Sequence, residues 1–395
     1  MSAPLWHSGF RPFFLGGALY GPVLVALWYG ARHGAWVLTG GVIPLPMVHA
    51  HELLFGFAVA IVCGVLLTAL PSWTGARELR GARLALLAGL WLAGRVAFLF
   101  LGKLPITLVM VIDCALLPVL GAMVVPTLSG ARWRLFFWSL PPLVGLAAGN
   151  VAFYLAAARG SLESMRWSLE LGIDALAFLY SLYGGLLVPA FTRNFLRARG
   201  QSAAGILLPL EYATALAMVA YAAADLGGAP PAWMAATALG ACALHLWRCL
   251  RWRGWRTAGE PLLWTLHLGY VWFIFALALR AWSALNRAVP ADAWIHAFTL
   301  GALGLTMASL MTRVALRHTG RALRVRTPMR AAYFAVLAAA LLRLGYAERA
   351  YGEWAILGSA LLWSGCFLTY AALYGPMLLA PSLARAAGRV TPPTA

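Results

Sequence analysis

The sequence predicts an all-α, polytopic integral membrane bundle of about twelve helices, a single transmembrane domain over residues 1–395. Three observations predict it. Hydrophobic residues make up 62% of the chain and charged residues 11%, where soluble domains carry about 25% charged residues. Mean hydropathy is +0.80. The basic residues fall between apolar stretches and alternate unevenly from one loop to the next.

A spanning helix needs about 20 mostly apolar residues. The stretches that qualify are 12–30, 48–70, 84–101, 104–127, 134–158, 166–190, 205–225, 230–250, 261–285, 292–315, 329–346 and 354–380. Turn residues mark the breaks. Pro71-Ser72-Trp73-Thr74-Gly75 ends the second, Pro230-Pro231 precedes the eighth and Pro328 opens the eleventh. Counting Lys and Arg in alternate loops gives 21 on one side and 7 on the other, the richer side including Arg132, Arg134, Arg248, Arg385 and Arg389. That asymmetry places both termini in the cytoplasm. It also accounts for the net charge of +18 without nucleic acid, because no long basic tract or RNA-binding aromatic motif is present. No cleavable signal peptide is expected, and no internal repeat stands out.

The five cysteines, Cys63, Cys114, Cys242, Cys249 and Cys366, lie in apolar stretches and form no C-x-x-C pair. Iron–sulfur, zinc-ribbon and disulfide frameworks are therefore not expected, and the absence of C-x-x-C-H excludes covalent c-type haem.

Ionisable groups inside a bilayer are costly and mark function by default. With this topology His49, His51 and Glu52 open the second helix on the outer side, and His296 opens the tenth. Arg95, Asn150, Glu170, Asp174 and Arg280 fall in the outer half, and Asp113 near the middle. His245, His267 and Glu211 lie toward the inner face, with His318 at the inner end of helix ten. The plain alternatives are an interfacial helix start for the histidines and ion pairs of Arg95 or Arg280 with Glu170 or Asp174. His49 and His51 are about 200° apart on a regular helix, so they face opposite sides. His296 and His318 are roughly 33 Å apart on a continuous helix and cannot share one centre. Imidazole suits haem iron, copper and zinc alike. A zinc-protease H-E-x-x-H is absent, because Leu53-Leu54-Phe55 follows His51-Glu52.

Phe10-Arg11-Pro12-Phe13-Phe14, His49-Ala50-His51-Glu52-Leu53-Leu54-Phe55-Gly56-Phe57 and Leu70-Pro71-Ser72-Trp73-Thr74-Gly75 resemble the NnrS family. So do Pro189-Ala190-Phe191-Thr192-Arg193-Asn194, Leu266-His267-Leu268-Gly269-Tyr270, His296-Ala297-Phe298-Thr299-Leu300-Gly301-Ala302, and the stretch from Met311-Thr312-Arg313 to Arg317-His318-Thr319-Gly320-Arg321. The resemblance covers nearly the whole chain. It implies a multi-pass protein of the bacterial inner membrane that carries haem, of b type, and copper, and that acts in nitric oxide metabolism. It points to His49, His51, His267, His296 and His318 as metal-ligand candidates, with His245 less firmly matched. It does not divide them between haem and copper.

The function expected is binding and detoxification of nitric oxide, with reduction to nitrous oxide as the candidate reaction. Glu52, Glu170 and Asp174 would deliver protons, and Arg95 and Arg280 would stabilise charge or hold propionates. An electron donor of the quinol or cytochrome class would be the partner, alongside the lipid bilayer. A non-catalytic haem-based sink or sensor, and a transporter of metal or a metal–nitrosyl species, use the same ligands and remain open.

Overall fold

Lipid offers no partner for backbone N–H and C=O groups, so a spanning chain must pair them internally. The computed structural model, which describes residues 3–75, 77–125, 138–347 and 349–383, is correspondingly built of helices, with no strand among the described residues. Twelve helical rods follow one another within them. They are α1 (Phe10–Arg32), α2 (Leu45–His51, continuing through Glu52–Ala58 into Val59–Thr74), α3 (Ala82–Leu99) and α4 (Ile106–Cys114 with Leu116–Val124). Then come α5 (Leu140–Ala158), α6 (Leu162–Arg197), α7 (Leu208–Leu226) and α8 (Pro231–Trp252). The last are α9 (Pro261–Leu285), α10 (Ala293–His296, Ala297–Gly304 and Leu305–His318), α11 (Thr327–Ala347) and α12 (Trp354–Leu379).

Ten of these are long and apolar enough to cross a membrane. The other two are α7, which carries Glu211 and Asp225, and α8, which carries His245, Arg248 and Arg251. The expected break between the fourth and fifth spans, with Arg132 and Arg134, lies outside the described residues, as do Arg385 and Arg389.

Contacts between loops define two faces. Arg11 donates to Ala380 O at 2.7 Å, Gly81 N to Trp6 O at 2.8 Å and Arg256 to Ser202 O at 3.1 Å. The first two contacts place both ends of the described chain and the arginine-bearing loop after α2 on one face, and the third joins the arginine-bearing loops after α6 and α8. Arg32 pairs with Glu353 at 2.8 Å and Trp167 Nε1 donates to Leu226 O at 3.0 Å on the arginine-poor face.

Burial separates inner from outer helices. The apolar window of α2 is 83% buried, and those of α6, α9 and α10 are each 67% buried, against 33% for α11 and α12. The four inner helices carry His49, His51, His267, His296 and His318. Small residues let α5 and α6 approach closely: a methyl on Gly149 would stand 2.9 Å from Ser168 O, and one on Gly145 3.0 Å from Ala175 Cβ.

Two inner helices break their regular winding at matching places. α2 passes into a π-helical turn over Glu52–Ala58, three residues after His49. α10 does so over Ala297–Gly304, directly after His296. A π-turn inserts a residue, shifts the helix face and leaves carbonyls to be paired elsewhere. In α2 the Gly56 carbonyl accepts from Trp91 Nε1 at 2.9 Å.

Candidate functional site

His49 and His51 do point to opposite sides of α2. His51 is fully buried in an aromatic box, stacked on Phe98 at 4.4 Å with Phe153 at 4.5 Å and Phe55 at 5.0 Å. Its Nδ1 lies 2.9 Å from Glu52 Oε1 and its Nε2 2.9 Å from Asn150 Oδ1. Arg95 bridges Glu52 and Asp113. Asp113 Oδ2 accepts from Tyr154 at 2.8 Å and from Asn150 Nδ2 at 3.3 Å. Tyr20 donates to Glu52. The contacts close a ring from His51 through Glu52, Arg95, Asp113 and Asn150 back to His51.

The ring fixes its own protonation pattern. A carboxylate can only accept, so the Asn150 amide nitrogen faces Asp113 and its oxygen faces His51. His51 Nε2 must then donate. Its Nδ1 and Glu52 Oε1 share the remaining proton. Both ring nitrogens are thus spent within the protein. Gly56, in the π-turn, makes room: a methyl there would stand 2.9 Å from an Arg95 guanidinium nitrogen.

His49 faces the other way, its ring 4.5 Å from Trp28 of α1. Its Nδ1 is buried with no hydrogen-bond partner among the described residues. His296 and Arg343 are its electrostatic neighbours. His296 Nδ1 donates to Asp292 O at 2.9 Å, which leaves Nε2 as the lone-pair nitrogen. Asp292 Oδ2 also lies 3.8 Å from both His296 Nδ1 and Arg343. His49 and His296, near the heads of the two π-turned helices, are thus electrostatic neighbours.

The remaining histidines are apart from this pair. His267 is 7% exposed, near the arginine-rich end of α9. Its Nε2 lies 2.8 Å from Thr192 Oγ1, and its Nδ1 is buried without a partner. His245 Nδ1 accepts from Tyr270 at 2.6 Å, because Arg248 already donates to that hydroxyl oxygen. Arg248 also pairs with Glu211 at 2.7 Å. Arg248 is thus a buried member of α8 rather than a loop charge, and an arginine tally alone cannot see that. The His318 ring lies 5.7 Å from Phe10.

Glu170, Asp174 and Arg280 gather elsewhere. Arg280 pairs with Asp225 of α7, and Asp174, Glu170 and Tyr221 are its neighbours there. The sequence alternatives offered Glu170 or Asp174 as partners for the two arginines. The structure pairs Arg95 with Glu52 and Asp113, and Arg280 with Asp225.

A cavity of about 80 Å³ lies where α2, α6, α9 and α10 meet, deeper than the His49–His296 pair. Ile61, Leu66, Leu176, Leu179, Leu303 and Met307 line it. Tyr180 and Thr306, hydrogen-bonded at 2.9 Å, border it.

The family model described as NnrS protein matches residues 4–382. The chain belongs to the NnrS family. No match was found among curated proteins. Membership connects this NnrS-family chain with nitric oxide metabolism and, in general terms, with haem and copper. The residues can be weighed against those groups. No cluster of three or more His, Cys, Asp and Glu among the described residues is placed to hold a metal ion. A three-donor copper site is therefore not assembled. Imidazole ligation of haem does fit His49 and His296, through a buried unpartnered nitrogen on one and a carbonyl-fixed tautomer on the other.

Several members of these clusters carried no sequence signal of their own. Tyr20, Tyr154, Trp28, Tyr221, Asp225, Asp292 and Arg343 sit in apolar helices or at their ends and match no spacing rule. Arg343 lies in the last turn and a half of α11.

Proposed function

We propose that this protein binds nitric oxide within the membrane and detoxifies it at a haem held by His49 and His296, with reduction to nitrous oxide as the reaction. The observation that carries the reading is a pair of electrostatically neighbouring imidazoles near the heads of two π-turned helices in an NnrS-family chain, one with a buried unpartnered nitrogen and the other with a carbonyl-fixed tautomer. Haem iron held there would supply nitric oxide binding and electron transfer.

The protein's own groups support that chemistry. Asp292 O holds His296 in the tautomer that presents Nε2. Trp28 packs on His49, whose Nδ1 is buried. Arg343 is a cationic neighbour of both histidines and suits an acidic group bound there. The proton shared by His51 Nδ1 and Glu52 Oε1 sits on the opposite side of the same turn of α2. Arg95 balances the charge of Glu52 and Asp113 while that proton is held. Nitric oxide is small and apolar and partitions into lipid, so the apolar cavity between the inner helices is suited to receive it. His51, His245, His267 and His318 are not needed as ligands in this reading. The described residues do not close a three-donor copper site, so copper takes no part in it.

The arginine distribution supports a cytoplasmic arginine-rich face in a bacterial inner membrane. The electron donor would be an external quinol or cytochrome.

One observation favours a second reading, a haem-based sink or sensor. A haem held by imidazole would suffice to bind nitric oxide, and no three-donor site among the described residues is placed to hold a second metal that would assist turnover. The test is anaerobic consumption of nitric oxide by the reduced, purified protein at an electrode, with excess electron donor. Many molecules consumed per haem, with nitrous oxide formed, support a reductase. Uptake that stops near one per haem establishes the sink. No haem in the purified protein overturns both.

A further inference from the structure

Asp174 lies in the middle of α6, 2% exposed, and neither of its carboxylate oxygens has a hydrogen-bond partner among the described residues. The Tyr221 hydroxyl from α7, in a residue with no exposed surface, is likewise buried and unpartnered. The two groups are neighbours, and Asp225, Arg280 and Glu170 complete their surroundings. Arg280 is a single cation among these acids: it pairs with Asp225 through one nitrogen, and no hydrogen bond from it reaches Asp174 among the described residues.

Charge accounting then leaves one group over. Asp225 and Arg280 cancel. An ionised Asp174 would be a second buried negative charge with no hydrogen bond, which costs far more than protonation does. A proton removes the charge and gives the carboxyl an O–H donor among neighbouring oxygens that include the Tyr221 hydroxyl. Glu170 stands one turn away on the same face of α6 and is only half-buried. It faces Arg166 as well as Asp225 and Arg280. The cluster lies near the arginine-poor face, since Asp225 is next to the last residue of α7 and Arg280 is in the last turn and a half of α9.

We propose that Asp174 is a proton-binding site, loaded in the resting protein, which exchanges with the arginine-poor face through Glu170. Proton supply to nitric oxide reduction is the use this site would have, and that part rests on the function proposed above. Reduction of two nitric oxide molecules to nitrous oxide and water takes up two protons and two electrons, the electrons coming from the external quinol or cytochrome. Proton binding itself does not depend on that reaction.

The test is infrared difference spectroscopy on the purified full-length protein, without nitric oxide, on exchange from H₂O to D₂O at neutral pH. A carboxylic-acid C=O band that shifts in D₂O is expected in the wild type and lost in Asp174→Asn. Glu170→Gln should keep the band and slow its exchange. Asp174→Asn should melt close to the wild type, because a neutral isostere replaces a neutral acid. A band that survives Asp174→Asn, or is absent from the wild type, overturns the proposal. So does an Asp174→Asn protein that fails to fold while Asp174→Glu folds, since that marks an ionised structural partner. Exchange unchanged in Glu170→Gln overturns the route. A band present in a protein that neither binds nor consumes nitric oxide leaves this site standing and removes the proposed function alone.

Discussion

Gly94 lies against Asp113, so closely that a methyl group on its α-carbon would stand 2.6 Å from Asp113 Oδ1. The glycine lets α4 approach α3 at the level where the neighbouring Arg95 reaches the same carboxylate. Gly94→Ala should therefore force the carboxylate away from Arg95. Overpacking of this kind costs about 1–3 kcal/mol. Thermal unfolding in detergent should show a clear drop in Tm. An unchanged Tm would mean that α3 and α4 are not this close.

Removing Arg95 tests the ring more directly. Arg95→Met leaves Glu52 and Asp113 buried with no cation between them, and breaking a buried pair on one side costs about 3–5 kcal/mol. Replacing the charges together, as Arg95→Met with Glu52→Gln and Asp113→Asn, should recover part of the loss, because no uncompensated charge remains. A triple variant as unstable as the three single losses added together would refute the closed ring.

The Arg248 cluster makes a parallel prediction at the other end of the bundle. The Tyr270 hydroxyl accepts from Arg248 and donates to His245. Tyr270→Phe leaves both buried groups short of a partner, at about 1–3 kcal/mol. Haem content should be unaffected, because His245 is committed to Tyr270. Haem loss with Tm unchanged would instead make His245 a ligand.

How much of this could be read from the sequence follows from what sequence patterns encode. The all-helical membrane architecture and ten of the twelve expected spans were legible, because a lipid-spanning helix declares itself by length and hydropathy, whereas α7 and α8 fall short of that measure. The opposition of His49 and His51 was legible too, because helical geometry fixes it. The pairing of His49 with His296 was not. They are 247 positions apart, and their proximity depends on the tertiary arrangement of the bundle. Arg95 and Arg280 were seen as buried charges in need of partners. Their partners, Glu52 with Asp113 and Asp225, depend on which helix faces which, and hydropathy does not carry that. Arg248 was taken for a loop arginine because a charge near a span end looks the same whether it snorkels outward or pairs inward.

Acid should loosen the tether between α1 and the start of α12 on the arginine-poor face. The exposed Glu353 carboxylate is held below its ordinary value of 4.5, first by the Tyr346 hydroxyl and then by the Arg32 guanidinium. A carboxylate depressed in the folded state adds stability above its unfolded value and loses it as pH falls through the folded value. The effect is therefore confined to pH below about 4.5, and it is small because the pair is exposed. Hydrogen exchange at residues 349–353 should rise in that window in the wild type. In Glu353→Gln it should be pH-independent. A rise of equal size in both would place the acid sensitivity elsewhere.

The sharpest prediction separates the two histidines of α2. His49 faces Trp28 and His296 with a nitrogen to spare, so His49→Ala should lower bound haem and change the ferrous nitric oxide spectrum. Little stability should be lost, because no hydrogen bond to Nδ1 is broken. His51 spends both nitrogens on Glu52 and Asn150 within an aromatic box. His51→Ala should lower Tm markedly, since it empties a packed site and leaves the buried Asn150 oxygen without its donor, at about 1–3 kcal/mol. His51→Gln, which can still donate, should recover part of the Tm and keep haem. Haem stoichiometry and Tm measured on the same preparations decide the matter. If His51→Ala loses haem at full stability while His49→Ala keeps it, the two roles are exchanged, and the ligand pair must be sought on the Phe98 side of α2.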